Sequence, residues 1–195
     1  MNNLTDEEVM LEYQQGRVEA MDELLKRYKK PIYHFAMRLS ADAVEAQDVA
    51  QEVFLRLHQN KLSYQPSGKF STWIFSIAHN LLLNNLRKKK RLVFWPRTKD
   101  DPDELVEFES NSPSPQELTV SDDTSRIMKK CIQGLPFLQK EALILREYEK
   151  LDYEGIARIL KKSQGTVKTL IHRARMNLKI KLLPYIGELG GGSNV

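Results

Sequence analysis

Asp48 and Glu52 stand four residues apart, a helical spacing at which paired carboxylates can hold a metal ion or divide acid from base work. Nothing completes that site. His58 is more than a turn beyond Glu52, and the four histidines of the chain are scattered, so no ligand set forms. Cys131 is the one cysteine, which excludes a disulfide within these residues and any thiolate-rich zinc site. Its period with Ile127, Met128 and Ile132 is that of a small buried apolar residue. There is no glycine-rich phosphate loop. The expectation is a protein without metal, cofactor or catalysis of its own, whose chemistry is recognition.

The residues suited to recognition are cationic and lie near the C-terminus. The net charge of +4 hides an uneven distribution: from Arg126 to Leu183 there are 14 Lys and Arg against 5 Asp and Glu. Ser163 to Lys181 holds five bases (Lys168, Arg173, Arg175, Lys179 and Lys181) and no acid. A protein-binding amphipathic helix usually mixes both signs, whereas an acid-free run suits phosphates and guanine edges.

These side chains need a scaffold, and its pattern is helical throughout. Thr5 with Glu8 forms a capping-box signature. Met21, Leu24, Leu25 and Tyr28, then Ile32, Phe35, Ala36 and Leu39, recur at spacings of three and four. Val49, Val53, Phe54 and Leu57 follow a possible cap at Asp42, and Phe70, Trp73, Ile74, Ile77, Ala78 and Leu81 give a fourth run. For Trp73 the period favours core packing over an exposed contact. Between the last two runs, Asn60 to Phe70 reads as a polar loop. At the other end, Asp152 and Ser163 are placed to cap two short helices, the second of which sets Val167, Ile171, Ala174 and Leu178 on one face. Lys168, Thr169, His172 and Arg173 then face the other way, as major-groove docking by a helix-turn-helix requires.

Four of the eight prolines (Pro96, Pro102, Pro113 and Pro115) fall within twenty residues, among Asp, Glu and Ser. Such a stretch cannot bury enough apolar surface to order itself. The expected architecture is all-α: an N-terminal helical bundle over 1–91, a flexible acidic and proline-rich linker over 92–123, a C-terminal helix-turn-helix domain over 124–185, and a disordered tail over 186–195. The first residues lack the basic start and apolar run of a signal peptide, and no stretch approaches a membrane span, so the expected location is the cytoplasm.

Leu135-Pro136, Glu141-Ala142-Leu143, Asp152 to Ala157, Gly165-Thr166-Val167-Lys168 and His172-Arg173-Ala174-Arg175 resemble the second DNA-binding domain of bacterial sigma factors. Asp48-Val49-Ala50-Gln51-Glu52-Val53-Phe54 resembles that family's core-polymerase-binding helix. Phe70-Ser71-Thr72-Trp73-Ile74 with Ile77-Ala78-His79-Asn80 resembles its melting and −10-reading helix. Order and spacing suit the extracytoplasmic-function class.

The resemblance implies that 1–91 is a region 2-like domain that binds core RNA polymerase, reads the −10 element and opens it, and that 124–185 is a region 4-like domain that reads −35. Glu45, Asp48, Gln51 and Glu52 would dock on the clamp helices of the polymerase largest subunit, with a further contact to the flap. Tyr64, Asn80, Arg87 and Lys88 would serve −10 DNA, single-stranded once opened; Lys168, Thr169, His172, Arg173 and Arg175 would serve duplex −35 DNA. An anti-sigma factor is an expected partner. Two residues depart from the family pattern: Leu170 stands where arginine is usual, and Gly155 replaces an acid that would complete a capping box with Asp152. The linker, with Asp100, Asp101, Asp103, Glu104, Glu107 and Glu109, would tether two domains to two separated elements. Two alternatives stay open: a helix-turn-helix regulator that is not a polymerase subunit, and a nucleic-acid enzyme using Asp48 and Glu52.

Overall fold

Thr5 opens the first helix as the capping box predicts. Its hydroxyl accepts from Glu8 N–H (3.2 Å) and its own N–H donates to the Glu8 carboxylate (2.7 Å), satisfying two donors left over at a helix start. The computed structural model describes residues 3–93 and 123–185, with side chains over 3–89 and 124–185. The first unit comprises α1 (Asp6–Gln14), α2 (Glu19–Ser40), α3 (Ala43–Gln59) and α4 (Phe70–Val93), with a 3-10 turn at Lys61–Ser63. The second comprises α5 (Asp123–Gln133), α6 (Phe137–Glu147), α7 (Tyr153–Leu160) and α8 (Gln164–Leu182), closed by a 3-10 turn at Leu183–Tyr185. No strand occurs among the described residues. Helix α4 runs two residues into the expected linker; the remainder of that linker up to 122, and the tail from 186, lie outside the described residues.

The remaining predicted caps form. Asp42 accepts from Val44 N–H and Glu45 N–H (2.9 and 3.0 Å), Asp152 from Gly155 N–H (2.7 Å) and Ser163 from Thr166 N–H (3.1 Å). Each is worth about 1 kcal/mol. Helix α2 passes through Pro31 without a break. A proline there removes one backbone bond at a cost of roughly 3 kcal/mol; the burial of Leu24, Tyr28, Ile32, Phe35 and Leu39 along the same helix offsets it.

Helix α4 begins on a borrowed cap. Phe70 N–H donates to the Glu7 carboxylate on α1 (2.7 Å), while Gln14 Nε2, also on α1, donates to the carbonyls of Lys61 and Tyr64 (2.6 and 2.8 Å). The loop between α3 and α4 is thereby tied down at both ends. In the second unit, Leu135, Leu143 and Ala174 with Leu178 pack α6 against α8. Cys131 is buried, its thiol reaching the Lys181 carbonyl (3.4 Å), and burial pushes its pKa up.

The two units are in contact. Ile144, Leu145, Leu151, Ile156, Ile159, Val167 and Ile171 belong to the same buried apolar cluster as Leu24, Phe35, Ile74 and Phe75. Helix α7 packs on α4, and α6 on α2. The separate, tethered domains expected from the linker composition are thus closed on each other here.

Candidate nucleic-acid and docking surfaces

Helix α8 sorts its residues by face as its period requires. Val167, Ile171 and Ala174 are buried against the second unit, and Lys168, Thr169, His172, Arg173 and Arg175 are exposed. Thr169 Oγ1 donates back to the Gly165 carbonyl (3.0 Å), and Lys168 Nζ lies 5.6 Å from the centroid of the Tyr153 ring. Arg175 is held by Glu147 (2.5 Å), which raises the guanidinium pKa and lowers that of the carboxylate through their mutual hydrogen bond. Lys168, Thr169, His172 and Arg173 therefore form the open basic face, and Arg175 lies at its edge with a partner already in place. Leu170 is partly buried and packs on the main apolar cluster. Leu170 thus serves packing and adds nothing to the open basic face.

On α3 the four expected docking residues divide. Asp48 and Gln51 are exposed, whereas Glu45 is ion-paired with Lys89 of α4 (2.5 Å) and Glu52 with Arg56 (2.8 Å). Val44 and Leu55, at 71% and 50% exposure, lie on the same helical face at i, i+4, i+7 and i+11 with Asp48 and Gln51. Neither was singled out from the sequence. The signal available was that both fall off the apolar period of α3, where an outward apolar side chain has no packing role. A second such stripe runs along the end of α8 and the turn after it, through Met176, Ile180 and Leu183.

The loop before α4 differs most from expectation. Tyr64 is 3% exposed, its ring set edge-on to Phe70 and Trp73 at centroid distances of 5.7 and 5.3 Å. Burial, with Glu7 and Asp6 nearby, pushes its hydroxyl pKa up to about 12. A ring so enclosed offers no face to a base. The aromatic cluster and the Gln14 bonds explain why a loop that reads as polar turns its tyrosine inward. Trp73 is half-buried on the core as its period predicts. Asn80 donates to the Ser76 carbonyl one turn back (2.8 Å), and Arg87 and Lys88 project from the far end of α4, both exposed.

Among the described residues no helix is long and apolar enough to cross a membrane, and no group of three or more His, Cys, Asp or Glu gathers as metal ligands would.

Comparison with known proteins matches both units. A family model described as Sigma-70 region 2 covers residues 24–92, and one described as Sigma-70, region 4 covers residues 125–178. The chain is 33% identical over 189 residues to the RNA polymerase sigma-H factor of Pseudomonas aeruginosa, spanning 94% of this chain and 96% of that one. It is 32% identical over 170 residues to the ECF RNA polymerase sigma factor SigW of Bacillus subtilis, spanning 86% and 91%. Among solved structures it resembles the sigma factor RpoE of Bartonella quintana, determined in complex with the anti-sigma factor NepR. There the TM-score is 0.67 at 27% identity, covering 85% of this chain and 98% of that one.

Proposed function

The chain belongs to the sigma-70 family of RNA polymerase sigma factors, in the extracytoplasmic-function class, and from that premise we propose how its surfaces divide the work of promoter recognition. It acts by binding, bringing core polymerase to a promoter and holding the strands open, with no reaction of its own.

Helix α8 reads the −35 element. The supporting observation is its acid-free exposed face of Lys168, Thr169, His172 and Arg173, backed by the buried Val167, Ile171 and Ala174 that fix the helix against α6 and α7. The capped N-terminus at Ser163 adds outward N–H groups suited to a phosphate. Arg175 serves as a phosphate contact at the margin.

The outward face of α3 docks on the polymerase clamp through Asp48 and Gln51 together with Val44 and Leu55. A mixed face of this kind gives apolar contact area at its core while the acid steers encounter and register. The stripe of Met176, Ile180 and Leu183 is suited to the second polymerase contact, at the flap. Arg87 and Lys88 on α4 neutralise phosphates near −10. Tyr64 supports the strand-capturing loop from beneath, and Asn80 holds its helix turn. Unpairing costs a few kcal/mol, which binding of the opened strand offsets. The relative crystallised with an anti-sigma factor makes such a regulator the partner to expect here; a subunit that serves RNA polymerase works in the cytoplasm.

Reconstitution tests the reading. Core polymerase with this chain should initiate at promoters that core alone ignores. If the chain adds no promoter-specific transcript, the sigma reading fails; if it binds duplex DNA without binding core, a free-standing regulator is the better description.

A further inference from the structure

The loop between α3 and α4 turns its tyrosine inward and its leucine outward. Tyr64 is enclosed, whereas Leu62 is 78% exposed, more than any other large apolar side chain among the described residues. Singly exposed leucines are ordinary on a protein surface. What sets this one apart is how firmly its backbone is held. Leu62 is the middle residue of the 3-10 turn Lys61–Ser63. The Lys61 carbonyl before it accepts from Gln14 Nε2 (2.6 Å) and from Tyr64 N–H (3.3 Å), and the Tyr64 carbonyl accepts from the same Gln14 amide (2.8 Å). Ser63 donates twice to the Asn60 carbonyl, through its N–H (2.9 Å) and its hydroxyl (2.8 Å). Lys61 Nζ lies 4.9 Å from the centroid of the Tyr13 ring on α1.

The turn is thus closed by bonds from α1 and from within itself, and the aromatic packing of Tyr64 on Phe70 and Trp73 anchors its far end. Leu62 is carried outward on a backbone whose ordering is already complete. A side chain presented in this way adds nothing to the core, and covering it costs a partner little in further ordering of the loop.

The chemistry of its neighbours selects the partner. Asn60, Ser63, Gln65, Pro66 and Ser67, which flank it in the loop, are exposed and uncharged. No acid occurs in the sequence between Glu52 and Asp100, so the acidic face of α3 ends before the turn begins. An apolar tip among polar groups and cations suits a nucleic acid better than a second protein surface. Leucine has no π face on which a base could stack, and Tyr64 is shut in. What leucine can do is fill the space between bases that have parted, as apolar wedges do where proteins unstack a base step. We propose that Leu62 is the wedge of strand opening: as the −10 element parts, its side chain enters the gap in the stack, is covered by the flanking base and hinders the strands from closing. This rests on the reading of the loop before α4 as the strand-capturing loop. Leu62 is then a positioning residue without sequence preference, since its side chain has no hydrogen-bonding group, and the choice of base falls to the polar residues beside it.

Leu62→Ala in the full chain, combined with core polymerase, tests the proposal on two templates. One is a promoter selected out of a random library; the other is the same promoter with its −10 element already opened by mismatches. Transcript yield is read on both, and permanganate reactivity of the −10 thymines on the duplex. Because the side chain is exposed, the denaturation midpoint of the variant should equal that of the wild type. On the duplex, Leu62→Ala should reduce opening by about tenfold, the effect of losing most of one leucine's burial. On the pre-opened template, where no pair has to part, it should match the wild type. Leu62→Met, which keeps a long apolar side chain, should retain opening of the duplex. The proposal is overturned if Leu62→Ala opens the duplex as the wild type does, or loses as much on the pre-opened template. It is overturned equally if the deficit tracks a weaker affinity for core, which would make Leu62 an extension of the Val44 and Leu55 face. A wild-type chain that transcribes from neither template with core would defeat the sigma reading, and the proposal with it, whereas a defect confined to the variant leaves that reading standing.

Discussion

Tyr64 and Trp73 are both aromatic and both precede or open α4, yet Tyr64 is the more enclosed of the two. Replacing Tyr64 with Ala should cost about 3–5 kcal/mol of stability, the range for emptying an aromatic site. Tyr64→Phe should be close to neutral, because the hydroxyl makes only a long contact to the Gly68 carbonyl (3.5 Å). Chemical denaturation of both variants checks this; a Phe variant that is stable but cannot open a promoter would restore Tyr64 to direct base contact. Arg175 belongs to the same scale. Because Glu147 already holds its guanidinium, Arg175→Ala should weaken −35 duplex binding less than Arg173→Ala in a titration at fixed salt. Equal losses would mean that the Glu147 pair gives way on DNA. The basic face of α8 was legible because it needs only a helical period and a run without acids; Tyr64 was not, because its burial depends on Gln14, Phe70 and Trp73 meeting around it.

Among the elements, those closed by nearby residues were readable and those closed from a distance were not. The caps at Thr5, Asp42, Asp152 and Ser163 lie within three residues of the groups they serve. The cap on α4 comes from Glu7, 63 residues away, and the loop ties from Gln14 span 47 and 50 residues. Glu7→Ala should lower stability by about 1 kcal/mol and free the start of α4 to exchange its amides faster, visible by hydrogen exchange. The junction of α2 with the second unit carries a pH dependence. Burial raises the Glu149 pKa to about 7 against the pull of Arg38 (3.8 Å), whose guanidinium stacks on Tyr148, and burial lowers that of Lys140 to about 8. The stability linked to Glu149 is full below its ordinary value near 4.5 and is lost as pH rises through about 7. That linked to Lys140 is present above 10.5 and is lost as pH falls through about 8. Contact between the units should therefore be loosest near pH 7 to 8. Glu149→Gln should remove the acid-side limb of that profile, followed by energy transfer between dyes on α3 and α8; an unchanged profile would place the titration elsewhere.

The whole molecule separates its surfaces. The proposed docking residues lie on the outward face of α3, the proposed −35-reading residues on α8, and the face of α4 between the units is covered by α7. Composition alone suggested a loose pair of domains on a tether, because a proline-rich acidic stretch says nothing about what its flanks do to each other. The two units share a core because α2 and α4 leave apolar and carbonyl groups that α5, α6 and α7 satisfy. Exposed apolar residues on α3 are then the ones to test for docking. Leu55→Asp should weaken core polymerase binding without lowering stability, since the side chain is half-exposed, and a variant that binds core normally would remove that face from the docking surface. The assignment of the C-terminal helix is tested most directly by transcription with reconstituted holoenzyme on paired templates that differ only in a scrambled −35 element. The wild-type chain should lose activity on the scrambled template, and the combined variant Lys168→Ala, Arg173→Ala should be reduced by roughly 1–3 kcal/mol per lost base contact and no longer distinguish the two. If the combined variant still prefers the intact element as strongly as the wild type, α8 does not read −35 through this face.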